Sequence, residues 1–454
     1  MPISQTGARM ETEADEYLNE WREIPLTSVA DIRFSSVNKV SQPGEEPVRL
    51  CNYTDVYNND YVTADMDFMR ATATRSEIER FGLQVGDVII TKDSETPDDI
   101  GIPTVVDTTA PDLVCGYHLA LLRLNQDEVD PTFLAKQLAH HRIARYFGQQ
   151  ANGTTRYGLS TAAISNAPLH LPRPESQRTA SALMRMVDAQ IAQIEAVIAK
   201  LKKVRAGMLH DLLSYGLDEH GQLRDPIAHP EQFQDSPLGL IPRDWEPKSL
   251  GILCSHIGSG VTPRGGQDVY TKEGILFIRS QNVTFDGLKL DDIAYIPRHI
   301  HIGMLRSEVF VHDVLFNITG ASIGRCCAMP GDMGIANVNQ HVCILRIPDA
   351  TEFDAVFLST VLSSTIGQKQ LEALNTCGNR QGLNYQQLGS FIVPWPGREE
   401  RGLIAGQVKK TAAGLSAEIN ELKKLRSLKV GLQDDLLTGR VRVTETIMEG
   451  AENA

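Results

Sequence analysis

Thr262 and Arg264, then Arg279 with Gln281 and Asn282, fall in short polar segments between apolar runs of the C-terminal half. Thr319 with Ser322, Asn339 with Gln340, and Asn379 with Arg380 and Gln381 follow in three more. Arginine, asparagine and glutamine can pair bidentately with base edges in the major groove, and serine and threonine reach bases or phosphates. Glycines among them let loop backbone approach a phosphate closely. The N-terminal half carries a comparable set: Lys92 and Ser94, then Asn152, Thr154, Thr155, Arg156 and Tyr157, with Arg142 and Arg145 on a nearby helical stretch. Any one such residue is more often part of a loop that hydrogen-bonds itself. The recurrence of the set at corresponding places in both halves favours a binding surface.

Other chemistries lack their residues. No G-x-x-x-x-G-K-[ST] phosphate loop occurs, so ATP hydrolysis by this chain is not expected. Gly258-Ser-Gly260 lacks the third glycine and the acidic residue of a dinucleotide fingerprint. No Asn-Pro-Pro-aromatic or Asp-Pro-Pro-aromatic tetrapeptide is present to hold a flipped base, and no G-x-S-x-G. His140, His141, His299, His301 and His341 have no metal-ligand spacing with nearby carboxylates or cysteines, so no metal is expected. The seven cysteines include no C-x-x-C pair, which fits reduced thiols in a cytoplasmic protein. A net charge of −13 argues against non-specific coating of nucleic acid but leaves room for a local polar groove. No apolar run approaches the length of a membrane span. The chain is expected to catalyse nothing by itself and to bind no cofactor.

The positioning elements repeat. Trp21 and Trp245 stand 224 residues apart, as do Leu26 and Leu250, Arg156-Tyr-Gly-Leu159 and Arg380-Gln-Gly-Leu383, Pro172 and Pro396, and Asp211-Leu-Leu213 and Asp435-Leu-Leu437. In the middle, Gly86-Asp-Val-Ile89 answers His312-Asp-Val-Leu315 at 226. A period this long is a duplicated domain rather than a solenoid. Two similar readers on one polypeptide suggest a ligand with two similar halves.

Each copy splits into a β-rich body and a long helix. Short β-type runs such as Ile275–Ile278, Val309–Val311, Val314–Phe316 and Val342–Leu345 are separated by turn residues, predicting a curled, mostly antiparallel sheet. Val85–Ile90, Thr104–Val106 and Leu119–Leu122 do the same in the first body, and helical stretches are expected at 131–148 and 353–373. Beyond Met184, apolar residues recur at Val187, Ile191, Ile194, Ile198, Leu201, Met208 and Leu212, a coiled-coil seam. The second copy gives Val408, Leu415, Leu422, Leu425, Leu432 and Leu436, starting from Ile404. The seam is interrupted by Arg205 in one copy and Lys429 in the other, again 224 apart. A one-sided seam of this length needs a partner, and the sister helix is the obvious one; dimerisation of two chains is the alternative. The expected class is α+β, with two mixed α/β bodies, each followed by a long helix, the helices paired antiparallel about a pseudo-twofold axis. The expected boundaries are a tail at 1–19, a body at 20–175, a helix at 176–214 and a linker at 215–244. A second body at 245–398, a second helix at 399–440 and a tail at 441–454 complete the chain.

This order resembles the specificity subunit of type I restriction–modification enzymes. Several strings are similar to that family's: Gly221 through Glu246, Gly258-Ser-Gly-Val-Thr-Pro263, Gly274-Ile-Leu-Phe-Ile-Arg-Ser280 and Thr319-Gly-Ala-Ser-Ile-Gly324. Val338-Asn-Gln-His341, Gln381-Gly-Leu-Asn-Tyr385, Val393-Pro-Trp-Pro396 and Leu50 through Tyr61 add to them. The resemblance implies that each body is a target-recognition domain reading one half of a bipartite double-stranded DNA sequence. It implies that the helices set the gap between the halves and dock two adenine methyltransferase subunits. S-adenosylmethionine, ATP and Mg would then belong to the methyltransferase and restriction partners, within DNA methylation and phage defence. A non-enzymatic protein-interaction scaffold, two bodies on a coiled-coil spacer, is the alternative.

Overall fold

The computed structural model describes residues 21–375 and 382–442. The chain divides into two compact units, residues 1–194 with 421–454, and residues 195–420. Both divisions fall inside a long helix, Pro174–Ser214 in one case and Arg398–Thr438 in the other. The expected tails lie almost wholly outside the described residues.

In the first unit a five-stranded sheet runs in the order Ala30–Phe34, Leu119–Leu124, Val88–Thr91, Pro103–Val106, Tyr61–Val62, antiparallel except for its last pair. A three-stranded sheet of Met69–Ala73, Glu46–Cys51 and Leu113–Cys115 lies in the same unit. The central strands are buried on both faces, which is why they read as unbroken apolar runs. Val88 and Ile90 join one core and Ile89 another; Ala120 and Leu122 separate from Leu119 and Leu121 in the same way. That is the two-residue period of a strand serving two cores. Each such fully buried Leu or Ile stabilises the fold by about 2 kcal/mol relative to exposure.

The second unit is built alike. His256–Ser259, Val342–Arg346, Val314–Asn317 and Cys326–Ala328 form an antiparallel sheet. Ala294–Ile296, Ile275–Ile278, Ala336–Val338 and Glu308–Val309 form a mixed one. Val314 and Phe316 face one core and Leu315 the other. Cys326 and Cys327 also point to opposite cores, so these neighbours cannot be each other's partners.

The duplication is visible in the pairing. Arg22 opposes Leu171 where each body is entered and left, and Glu246 opposes Trp395, both members displaced by 224. Asp87 binds Arg123 at 2.8 Å and also caps the Gln84 amide; Asp313 binds Arg346 at 2.7 Å and caps the Phe310 amide. Within the first unit Met184 of the first long helix packs with Leu432, Leu436 and Leu437 of the second. Within the second unit Met208, Leu212 and Leu213 pack with Ile404, Ala405 and Val408. In each unit the start of one helix thus lies beside the end of the other, an antiparallel pairing. The seam positions Val187, Ile191, Ile194, Ile198, Leu201, Leu415, Leu422 and Leu425 are all buried or half-buried, while Gln193, Glu195, Lys423 and Lys424 are exposed.

Both helices end on a left-handed glycine packed against a tryptophan. Gly216 has φ +65° and a Cβ there would meet Trp245 at 2.5 Å; Gly439 has φ +72° and a Cβ would meet Trp21 at 2.9 Å. No other residue both adopts that backbone cheaply and leaves the indole its space.

Three expectations differ from the structure. The stretch 131–148 is two helices, Pro131–Ala139 and His141–Gln150, broken where His140 takes an extended backbone. The stretch 353–373 breaks at Ser364, whose hydroxyl accepts the Ile366 amide and so caps a new helix, Thr365–Asn375. The linker is folded: Phe233–Ser236 pairs with Gly239–Pro242, burying Phe233 and Ile241.

Candidate nucleic-acid interface

In the first body three loops converge beyond the ends of the central strands. Thr91 runs on into Lys92 and Asp93, and Tyr157-Gly158 pairs back onto Ser94-Asp93. The turn Gly116-Tyr117-His118 precedes the neighbouring strand. Asp93 accepts from His118 Nδ1 at 2.8 Å and from Arg156 Nη2 at 3.0 Å. A carboxylate only accepts, so His118 donates to it from Nδ1. These residues line a cavity of about 1090 Å³ together with Tyr53, Tyr57 and Asp99. Tyr53 and Tyr57 stack at 5.5 Å, and the Tyr57 hydroxyl donates to Asp99 at 2.9 Å. Lys92 lies over the rings of Phe34 and Tyr117, 5.1 and 4.6 Å from their centroids.

The second body repeats the arrangement with other side chains. Thr319 bridges to Gly382 as Asp93 does to Gly158. His341 Nδ1 lies 2.6 Å from Thr319 Oγ1, and Gln340 Nε2 donates to His341 Nε2 at 3.0 Å. An amide nitrogen cannot accept, so His341 also keeps its proton on Nδ1 and gives it to Thr319. Thr262 donates to the Gln340 carbonyl, which draws the Gly258–Pro263 loop into the same cluster. His118 and His341 stand 223 residues apart, Asp93 and Thr319 226.

The sequence-derived candidates therefore sort into groups. Arg156 and Tyr157 join Asp93 and His118; Thr262, Thr319 and Gln340 join His341. Thr154, Thr155, Arg142, Arg145 and Arg264 are exposed, and Asn152 spends its side chain on the Gln150 carbonyl. Asn282, Asn339 and Ser94 are buried, and Ser94 lines the cavity beside Asp93. Asn282 binds the Lys289 and Asp292 carbonyls and the Arg279 amide; Asn339 accepts the His341 amide. They brace the turns that present their neighbours. Arg279 is also turned inward, 17% exposed and bound to Asp292, which Gln281 shares. Ser322 receives a hydrogen bond from Asn317 at 3.2 Å. Asn379, Arg380 and Gln381 lie outside the described residues.

Asp93, His118, Tyr53, Tyr57, Asp99 and His341 were not singled out from sequence as contact residues. The one signal that could have found the histidines is their spacing, which follows the repeat.

Other reactive groups are spent structurally. Burial pushes the Cys254, Cys326, Cys327 and Cys343 thiols up to about 12 and those of Cys51 and Cys115 well above their ordinary value, so none is a thiolate nucleophile. His301 is buried against Asn337. His140 and His141 meet Asp434 in a group whose ligand atoms lie within 4.8 Å of one another, a proximity no local spacing reveals. Arg440 already occupies Asp434. Burial, then Arg142 and Arg440, hold His140 below the usual histidine range. The cluster fastens the second long helix to the helical corner at His140.

No family model matches the chain. A Methanocaldococcus jannaschii protein described as a type I restriction enzyme MjaX specificity subunit is 23% identical over 378 residues, 81% of each chain. The type I restriction enzyme MjaVIII specificity subunit of the same organism is 22% identical over 304 residues, 66% of this chain and 68% of that one. Among solved structures, the crystal structure of a type I restriction–modification S subunit from M. genitalium covers 92% of this chain and 96% of its own with a TM-score of 0.58 at 15% identity. The fold is shared with that S subunit along nearly the whole length, and over most of its length this chain is similar to specificity subunits of type I restriction–modification systems.

Proposed function

We propose that this chain reads a bipartite, gapped double-stranded DNA target, one half with each body, and docks adenine methyltransferase and restriction subunits. It is the non-catalytic subunit; methylation and cleavage belong to the partners, which bring S-adenosylmethionine, ATP and Mg. The observation that carries this reading is the recurrence of one loop cluster, His118 with Asp93 and His341 with Thr319, at matched positions of two bodies. A shared framework with different side chains at its tips is what reading two different half-sites requires. Docking is supported by apolar side chains exposed on the long helices, Val204, Leu428 and Val430. The acidic chain, at −13, leaves much of the phosphate contact to the methyltransferase subunits. Among the described residues no helix is long and apolar enough to cross a membrane.

The deciding experiment maps N6-methyladenine across the genome with this gene intact and deleted. The expected result is loss of one gapped, two-part motif on deletion. An unchanged map in cells that express the methyltransferase overturns the proposal.

A further inference from the structure

We infer that Arg156, held from behind by Asp93, is the specificity-determining residue of the first body and reads the guanine of a G·C pair in its half-site. This rests on the DNA-reading role proposed above. Arg156 is 61% exposed, so its fork faces outward, while Asp93 is 17% exposed and fixed by two partners. The second partner is His118, whose ring stands edge-on to Tyr117 at 4.8 Å. One Nη2 hydrogen of Arg156 is committed to Asp93, which leaves the second Nη2 hydrogen, beside Nη1 or Nε, as an outward pair of parallel donors.

Charge decides between base and phosphate. The cavity wall carries three carboxylates, Asp93, Glu95 and Asp99, against two cations, Lys39 and Arg156. A phosphate meets net repulsion there, and Asp93 already neutralises the arginine. What survives neutralisation is directional hydrogen bonding by a planar donor-only group. Guanine matches it, presenting two acceptors, N7 and O6, side by side in the major groove. A fork held by a half-buried carboxylate also discriminates better than a mobile one, because less rotamer freedom is left to lose. Among the described residues the exposed Arg142 and Arg145 have no such carboxylate brace, and they fit phosphate contacts instead.

In the second body Thr319 replaces Asp93 beneath the equivalent histidine, and the repeat places Arg380 at the position of Arg156. The histidine scaffold and the arginine position are retained, and the carboxylate is not.

The test is selection from duplex DNA randomised in both half-sites, using the full chain co-purified with its methyltransferase partner. Wild type, Arg156→Ala, Arg156→Lys and Asp93→Asn are compared. Arg156→Ala should lose preference for guanine at one position of one half-site by roughly 10- to 100-fold and leave the other half-site unchanged. Arg156→Lys, which keeps the charge without the fork, should lose most of it and decides the matter where the alanine variant fails to fold. Asp93→Asn should relax the same position while steepening the salt dependence, because the released arginine becomes available to phosphate. Two results overturn the inference. One is an unchanged base preference in Arg156→Ala and Arg156→Lys. The other is uniform weakening on all duplexes in Arg156→Ala, with a salt slope shallower by about one. A wild-type complex that selects no sequence defeats the DNA-reading role itself, so the two failures are distinguishable.

Discussion

Gln340 has one amide hydrogen and one carbonyl lone pair left after its bonds to His341 and Thr262. That remaining pair matches adenine, which offers an acceptor at N7 and a donor at N6 in the major groove. Gln340→Ala should therefore relax one A·T position in the second half-site by about 1–3 kcal/mol and leave the first half-site intact. Methylation of duplexes carrying each base at each position checks this; four bases discriminated as before would remove Gln340 from the reading set. At this scale the sequence was half legible. Polar type and loop position picked out Arg156, Thr319 and Gln340, but the same criteria picked Asn282 and Asn339, which point inward to satisfy turn carbonyls and amides. Composition cannot separate a side chain that reads from one that holds the loop, because both need the same donors and acceptors. Asp93 and His118 escaped for the converse reason: their value lies in a contact across 25 residues that only folding creates.

The interruptions of the helical seam show how an element absorbs a charge. Lys429 sits where an apolar residue would continue the pattern, and its ammonium meets Asp188 at 2.7 Å and Asp60 at 3.1 Å, with Lys136 sharing both carboxylates. Arg205, its counterpart, binds Asp286 at 3.1 Å. The heptad pattern made both helices and both breaks legible, yet Asp60 and Asp286 are far away in sequence and carry no signature. Asp188 is largely buried, so Lys429→Met, which leaves Asp60 and Asp188 to share Lys136 alone, should cost about 1–2 kcal/mol, below the cost of stranding a buried carboxylate. Chemical denaturation reads this directly, and a loss under about 0.5 kcal/mol would mean the cluster contributes no net stability. Its pH dependence has a definite sign. Burial alone would raise the Asp60 carboxyl, but Lys136 and Lys429 hold it below its ordinary value of 3.8. Its contribution is therefore present above about 4 and lost as pH falls through the lower folded value. Burial alone would lower Lys429, but Asp188 and Asp60 raise it above 10.5, so its contribution is complete below that pH and lost only above it. Lys429→Met should flatten the acid limb of the stability profile.

Over the whole molecule the repeat of 224 residues is the strongest signal, and the physics of closure explains why the offset returns to 224 at both ends of each copy. Each body needs a strand pair to enter and leave it, Arg22–Pro25 with Pro168–Leu171 and Glu246–Ser249 with Ile392–Trp395. Each also needs a helix end to cover its tryptophan. Trp21 is covered at Gly439 and Trp245 at Gly216, so each body is completed by a glycine that ends a long helix. Insertions within a body, where the offset moves to 226 and 223, leave these closures at 224, and equal insertions in both helices would leave them too. Each helix of 41 residues spans about 60 Å. Four residues, about one turn, added after Ile194 and again after Asn420 lengthen both by about 6 Å and leave every described body contact in place. If the helices set the gap between half-sites, the methylated motif should keep both halves and tolerate a gap longer by on the order of one or two base pairs, since base pairs rise about 3.4 Å. The modified motif in cells carrying the lengthened chain is the readout. Unchanged halves with an unchanged gap would mean that spacing is fixed by the partner subunits, and the helices would then serve as docking surfaces alone.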